Sequence, residues 1–357
     1  MKTVSLTIDG KLVTASAGST ILSAAAGVGI DIPHLCYDPR VEPIGSCRLC
    51  GVKVEGMRGL VASCGQVVSD GMKVTTEDDE LALNRRQILE LLLSDHRPGC
   101  TACDKSGNCR LQDYAYRYHA DESRFGAFTP PPDGPNYTAL NKGILYDADK
   151  CIKCGLCVKY CETVQMAEAL TFAWRAKRLV VTTPFNEDLH KTTCELCGGC
   201  IRVCPVGAML DRVAVGLGRE KDLNRVRTTC AYCGVGCQVD LLVDKAHNRI
   251  VRATAEPGSL INDGNLCVKG HFGFEFVASK DRLTHPLIRK NGSFEKATWD
   301  EALEFIGQRL GEVRDKHGPD ALAFVSSSRC TNEENYLMQK LARTAGSTNN
   351  VDNCATT

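Results

Sequence analysis

The chain has 357 residues, 24% of them charged, and its 43 Lys and Arg balance 43 Asp and Glu. No excess of positive charge recommends nucleic acid or an acidic membrane surface as partner, and no window approaches the roughly 18 apolar residues of a membrane span. Its 21 cysteines would, as disulfides, require an exported protein. The N-terminus has no charged region followed by an apolar core, so the chain reads as a soluble protein of a reducing cytoplasm.

Val4, Leu6 and Ile8 alternate as a strand, Asp9-Gly10 reads as a turn, and Lys11–Ala15 as a second strand. An Ala-rich helix follows, opened by Ser19 and Thr20 and carrying Ile21, Leu22 and Ala25. Beyond it Cys36, Cys47, Cys50 and Cys64 are spaced C-x10-C-x2-C-x13-C. Gly45 and Gly51 would let backbone N–H groups approach the sulfur of a bound centre. Zinc is the alternative occupant, but zinc ribbons favour two C-x2-C pairs and this group has one. An iron–sulfur cluster is the other occupant four such cysteines can hold.

Thr76 to Asp79 is expected to cap a helix with Leu81, Ile88, Leu91 and Leu92 on its apolar face and Arg85 and Arg86 inside it. It runs into His96, Cys100, Cys103 and Cys109. Three cysteines do not complete a four-iron cluster, and His96 stands at ligand spacing as a fourth. A histidine two residues before a proline is otherwise more often a loop residue. His34 has no such setting and is read as structural.

Thr129 to Pro135 is the clearest linker. After it come Cys151, Cys154, Cys157, Cys161 and then Cys194, Cys197, Cys200, Cys204. Two C-x2-C-x2-C-x3-C runs are the bacterial two-cluster signature, in which the fourth cysteine of each run serves the other cluster. The expected sets are therefore Cys151, Cys154, Cys157 with Cys204, and Cys194, Cys197, Cys200 with Cys161. Pro205 follows one run, whereas Glu162 follows the other. A fifth group is Cys230, Cys233, Cys237 and Cys267. Farther on, Thr298 opens a helix to about Lys316, Ala321–Ser326 reads as a buried strand, and Asn332–Arg343 as a helix before a Gly/Asn-rich loop. Cys330 and Cys354 lack cluster spacing and are read as small buried thiols.

Several of these runs resemble known families. Gly45-Ser46-Cys47-Arg48-Leu49-Cys50 and the His96 segment, with Gly107-Asn108-Cys109-Arg110-Leu111-Gln112, resemble the N-terminal part shared by [FeFe] hydrogenases, the large iron–sulfur subunit of complex I and some formate dehydrogenases. Cys230-Ala-Tyr-Cys233-Gly-Val-Gly-Cys237 with Leu266-Cys267-Val268-Lys269-Gly270 resembles the [4Fe–4S] domain of molybdopterin oxidoreductases. The runs starting at Cys330 and Thr348 resemble formate dehydrogenase catalytic subunits.

The resemblance implies an α+β multidomain iron–sulfur protein. Its parts would be a β-grasp [2Fe–2S] domain (1–78), a small helical His/Cys [4Fe–4S] domain (79–128), a linker (129–140), a bacterial two-[4Fe–4S] ferredoxin domain (141–218), a molybdopterin-oxidoreductase [4Fe–4S] domain (223–284) and the start of an α/β pterin-binding domain (285–357). It also implies one [2Fe–2S] and four [4Fe–4S] clusters, with a molybdenum or tungsten bis-molybdopterin guanine dinucleotide in the full-length protein. Lys269 inherits, by position, a role as electron relay between cluster and pterin. Implied partners are a flavin and iron–sulfur subunit that reduces NAD(P), a ferredoxin, or hydrogenase subunits.

By the same resemblance, the selenocysteine or cysteine that ligates the catalytic metal is expected at the position after Thr357. Selenocysteine is encoded by a codon otherwise read as stop, so the expectation is a selenocysteine-codon truncation with no catalytic residue in this chain. Thr356 and Thr357 depart from the family's Arg and apolar residue. No dinucleotide fingerprint follows a strand. The favoured function is the electron-transfer portion of a formate dehydrogenase. Its rivals are a large iron–sulfur subunit of a complex I-like NADH dehydrogenase and an [FeFe] hydrogenase-related subunit.

Overall fold

The computed structural model describes residues 2–120, 124–129, 137–139 and 143–354. β1 (Thr3–Ile8) and β2 (Lys11–Ser16) form an antiparallel hairpin whose turn places Asp9 and Gly10 at positive φ. The side chain of Thr20 caps α1 (Ile21–Gly27) by accepting from Ser23 N at 3.2 Å. β3 (Gly51–Val54), β4 (Val61–Ala62) and β5 (Lys73–Thr75) complete one sheet of order β2-β1-β5-β3-β4, with β5 parallel to β1. Alternate residues of the hairpin, Leu6, Ile8 and Val13, pack on Ile21 and Leu22, and Cys50 and Cys64 belong to this core.

α2 (Asp79–Ser94) is capped by Asp78, which accepts from Leu81 N at 2.8 Å. Thr76, expected as part of the cap, instead donates its N–H to Asp9 Oδ1 at 2.7 Å and ties the helix entrance to the first hairpin. Leu91, expected on the buried face, is 54% exposed, while Leu81, Arg85 and Leu89 are buried. Two residues correspond to about 200° of helix, so Leu91 lies nearly opposite Leu89. α3 (Arg110–Arg117) packs on α2.

β6 (Tyr137–Ala139), β7 (Ile144–Asp147) and β10 (Met209–Asp211) make a sheet of order β10-β7-β6. Between β7 and β10 lie α4 (Leu156–Thr163), the hairpin of β8 (Thr171–Ala173) and β9 (Val180–Thr182), and α5 (Gly199–Val203), with α4 packed against α5. Both cysteine runs use the same backbone path: Lys153 and Leu196 are left-handed, and each helix opens from a left-handed glycine, Gly155 or Gly198. The helices then differ. Glu162 has an N–H and α4 continues through Thr163, whereas Pro205 cannot continue α5, which ends at Val203. Of the expected linker, residues 130–136 and 140 lie outside the described residues.

β11 (Asn224–Thr229), β12 (Gln238–Asp244) and β13 (Arg249–Thr254) form an antiparallel meander, followed by α6 (Val268–Phe272). The last unit contains the hairpin β14 (Leu287–Lys290) and β15 (Ser293–Lys296), then α7 (Trp299–His317), β16 (Phe324–Ser327), α8 (Asn332–Thr344) and β17 (Val351–Cys354). Thr298 with Glu301 and Thr331 with Glu334 form capping boxes. The strand expected from Ala321 starts at Phe324 and is covered on one side only, since Val325 is 65% exposed. The Asn-rich loop closes into β17, which runs parallel to β16. Among the described residues no helix is long and apolar enough to cross a membrane.

Candidate metal centres

Cys36, Cys47, Cys50 and Cys64 converge between the first sheet and the loop after α1. Cys47 N donates to Cys36 Sγ at 3.3 Å and Leu35 N to Cys47 Sγ at 3.4 Å. The thiols pair as Cys36–Cys47 and Cys50–Cys64. Hydrogen bonding from these partners takes Cys47 and Cys50 down to about 6, and Cys36 and Cys64 are pushed up correspondingly. Four thiols buried together, two of them easily deprotonated and two destabilised as free thiolates by their partners, suit a cluster, whose irons neutralise all four.

His96 follows α2. Its Nδ1 faces the Lys150 carbonyl oxygen at 3.0 Å, and burial lowers its pKa to about 4, so the ring is neutral. A carbonyl only accepts, so Nδ1 carries the proton and Nε2 keeps its lone pair, the state a metal ligand needs. Cys103 lies in the field of Cys109, whose thiol burial pushes up to about 11. Cys100 is exposed on a single 3-10 turn. His96 makes no hydrogen bond to these sulfurs. Gly207 leaves room for Cys103, since a Cβ there would fall 2.6 Å from its Sγ.

The two runs on α4 and α5 exchange their fourth members. Cys204 acts on Cys151, Cys154 and Cys157, while Cys161 acts on Cys194, Cys197 and Cys200. Backbone N–H groups reach these sulfurs from Lys153, Ala169, Leu196 and Gly199 at 3.3–3.4 Å. A largely enclosed apolar cavity is lined by Cys161, Cys194, Cys197 and Cys200 together with Ile144 and Leu170. Burial pushes Cys157 and Cys200 far up as free thiols. That cost disappears when iron takes the sulfur, so this donor set fits iron–sulfur clusters.

In the fifth group Cys230 N donates to Cys237 O at 2.8 Å, and Cys237 lies in the fields of Cys230, Cys233 and Cys267. Cys233 and Cys267 are exposed. Lys269 is exposed in the first turn of α6. Among the described residues no three His, Cys, Asp or Glu side chains are set for a single metal ion. A cluster asks for a wider arrangement, because its ligands are spread over two or four irons rather than gathered on one.

The groups lie near one another in series. Cys47 acts on Cys154, and Cys200 on Cys157. Cys103 lies against Gly207, three residues beyond Cys204. Cys197, Cys237 and Cys267 line one cleft. The Cys151 group thus neighbours both the Cys36 group and the His96 segment. Tyr160, Arg40 and Asn265, which the sequence does not single out, join three of these units at one point. Cys330 is exposed, contrary to its reading as a buried thiol, because it lies in the open turn before α8. The side chain of Cys354 and the position expected after Thr357 lie outside the described residues.

Family models match in the same order along the chain: a 2Fe-2S iron-sulfur cluster binding domain over 1–79, the NADH-ubiquinone oxidoreductase-G iron-sulfur binding region over 85–124, and a 4Fe-4S dicluster domain over 150–208. The molybdopterin oxidoreductase Fe4S4 domain matches 223–279 and molybdopterin oxidoreductase 282–357. The chain thus carries iron–sulfur domains in series with domains of the molybdopterin oxidoreductase type. The chain is 39% identical over 352 residues to an NADH-quinone oxidoreductase component of Rhizobium meliloti, covering 98% of this chain and 40% of that protein. It is 36% identical to the alpha component of an NADPH-Fe(3+) oxidoreductase of Geobacter sulfurreducens, with 98% and 40% covered. To "Putative formate dehydrogenase YrhE" of Bacillus subtilis it is 33% identical, with 99% and 40% covered. The chain therefore spans 40% of the length of these relatives. A crystal structure of an NAD+-reducing [NiFe]-hydrogenase in the H2-reduced state is similar to it with a TM-score of 0.55 and 32% identity, over 61% of this chain and 91% of that one.

Proposed function

We propose that this chain is the electron-transfer portion of a formate dehydrogenase-like catalytic chain. Formate would be oxidised to CO2 at a molybdenum or tungsten pterin site of the full-length protein. The observation that carries the reading is the cleft shared by Cys197, Cys237 and Cys267, which sets the ferredoxin-like pair beside the module that leads into the molybdopterin-type unit.

Cys36, Cys47, Cys50 and Cys64, in a β-grasp module, would hold a [2Fe–2S] cluster. His96 would join Cys100, Cys103 and Cys109, and the three remaining sets would each hold four irons, with Cys161 and Cys204 crossed. Bound there, the clusters supply one-electron storage. The chain's own residues exclude water around Cys157 and Cys200 and hold His96 neutral, and Lys269, two residues after Cys267, would serve as the relay lysine. A flavin and iron–sulfur subunit linked to NAD(P), a ferredoxin or a hydrogenase subunit would take the electrons, in the cytoplasm.

Anaerobic reconstitution tests the ligand sets: about eighteen irons are expected per chain. The substrate is tested on the full-length protein with its partner. Formate should bleach the iron–sulfur absorbance, and failure of formate to do so overturns the reading. The 39% identity to a protein named for NADH-quinone oxidoreductase favours a second reading, a complex I-like electron carrier. Bleaching by NADH through the partner, with no response to formate, is its outcome.

A further inference from the structure

Tyr160 lies on α4, one residue before Cys161 and three after Cys157, and is 2% exposed. Its ring is enclosed on every side. A Cβ on Gly199 would fall 2.0 Å from its Cε1, so only glycine lets the second cysteine run close over it. The guanidinium carbons of Arg40 and Arg202 stand 5.1 and 5.4 Å from the ring centroid. Asp38 holds both cations, Arg40 through two hydrogen bonds of 2.8 and 2.7 Å and Arg202 at 4.0 Å.

Packing accounts for the ring but not for the hydroxyl, which leaves the ferredoxin-like module and donates to Asn265 Oδ1 in the next one. Arg40, from the first module, donates to the same oxygen at 3.4 Å and to Asp263 O at 3.1 Å. Asn265 is rigidly mounted. Its carbonyl accepts from Asn262 Nδ2 at 2.8 Å, and Asn262 is bonded to Gln238 in both directions, at 2.9 and 3.1 Å. Gln238 follows Cys237, and Asn265 stands two residues before Cys267. Gly264, at φ +73°, packs so closely that a Cβ would meet Pro257 N at 2.8 Å, so only glycine fits beside Asn265.

We propose that Tyr160, through Asn265, is the positioning residue that fixes the Cys230/Cys233/Cys237/Cys267 group relative to the Cys161/Cys194/Cys197/Cys200 group, with Arg40 locking the contact from the [2Fe–2S] module. The role in electron transfer rests on the function proposed above. Transfer between bound centres falls steeply with their separation, so a hydrogen bond that sets this separation sets the rate at the entry to the cluster chain.

The test uses Tyr160→Phe and Asn265→Ala in the reconstituted holoprotein, with the exposed Tyr116→Phe as control. Phe keeps the ring and its two cation contacts, so cluster content should match the parent. Amide hydrogen exchange over residues 257–268 should be about fivefold faster in both variants, as expected for one lost hydrogen bond. The magnetic splitting between the two reduced clusters should change in Tyr160→Phe and stay constant in the control. Exchange and splitting identical to the parent in both variants would overturn the proposal. If the parent itself binds no clusters at these cysteines, the functional reading fails, and the exchange measurement still decides whether the contact exists.

Discussion

The Nδ1 of His96 lies 3.0 Å from the carbonyl oxygen of Lys150, one residue before Cys151. The His96 ring is thereby oriented by the chain segment that begins the neighbouring cysteine group, and its tautomer is fixed by that segment. His96→Ala should lower the iron content of the reconstituted protein by about four. His96→Cys should keep the iron and lower the potential of that one site, since a thiolate adds negative charge. Iron analysis with an EPR-monitored redox titration reads both. Full iron content in the alanine variant would rule out the ligand role.

The exchange of Cys161 and Cys204 between the two runs predicts a pattern in double variants. Replacing Cys161 and Cys194 together by serine should cost about four irons, because both serve one cluster. Replacing Cys161 and Cys151 together should cost about eight, one cluster from each set. An uncrossed arrangement predicts the reverse, so iron analysis of the two proteins decides it.

Arg85 is 1% exposed and joins four partners: Glu77 at 2.6 Å, Tyr118 Oη at 3.2 Å, Gly51 O at 3.1 Å and Thr76 O at 2.7 Å. It pins the first sheet to α2 and α3. Arg85→Met leaves two buried carbonyls without their donor and should cost about 2–4 kcal/mol. Its neighbour Arg86 is 43% exposed, and its partner Glu90 also has Arg124, so Arg86→Ala should cost far less. Thermal melting of the two variants gives the comparison.

Asp211, at the end of β10, is 5% exposed, and its Oδ2 has no hydrogen-bond partner among the described residues. Burial raises its pKa from 3.8 to about 6, against the opposing pull of backbone N–H groups and Arg252. A carboxyl with a raised folded-state pKa contributes stability that is fully present below pH 3.8 and lost as pH rises through about 6. Asp211→Asn should remove that loss and be more stable at pH 7 by about 2–3 kcal/mol. Denaturation at pH 5 and pH 8 measures it. The advantage should be smaller at pH 5, and an equal advantage at both would contradict the assignment.

The first hairpin, α1, α7 and α8 are legible in the sequence because each follows from local rules: alternation, a two-residue turn and a capping residue. Thr76 departs from expectation because Asp9 takes it, and Leu91 because the opposite side of α2 is the buried one. Which side of α2 is buried depends on Arg85, and a sequence pattern that counts apolar residues assigns an arginine to solvent. The strand at Val351–Cys354 escapes a local reading because its partner lies across α8. Cys330 reads as buried because cysteine usually is, yet it stands in an open turn.

The sequence by itself determined the cysteine groups, since the spacing of ligands in a short loop is set by chain geometry. It did not determine how the groups stand to one another. Cys47 against Cys154, Cys103 against Gly207, and Tyr160 against Asn265 join residues more than a hundred positions apart. Such contacts arise from packing between modules and leave no periodicity in the chain. The core shared by Cys36, Leu49, Leu89, Tyr146 and Val203 joins the first three of the expected domains, and only that packing decides which of their groups are neighbours.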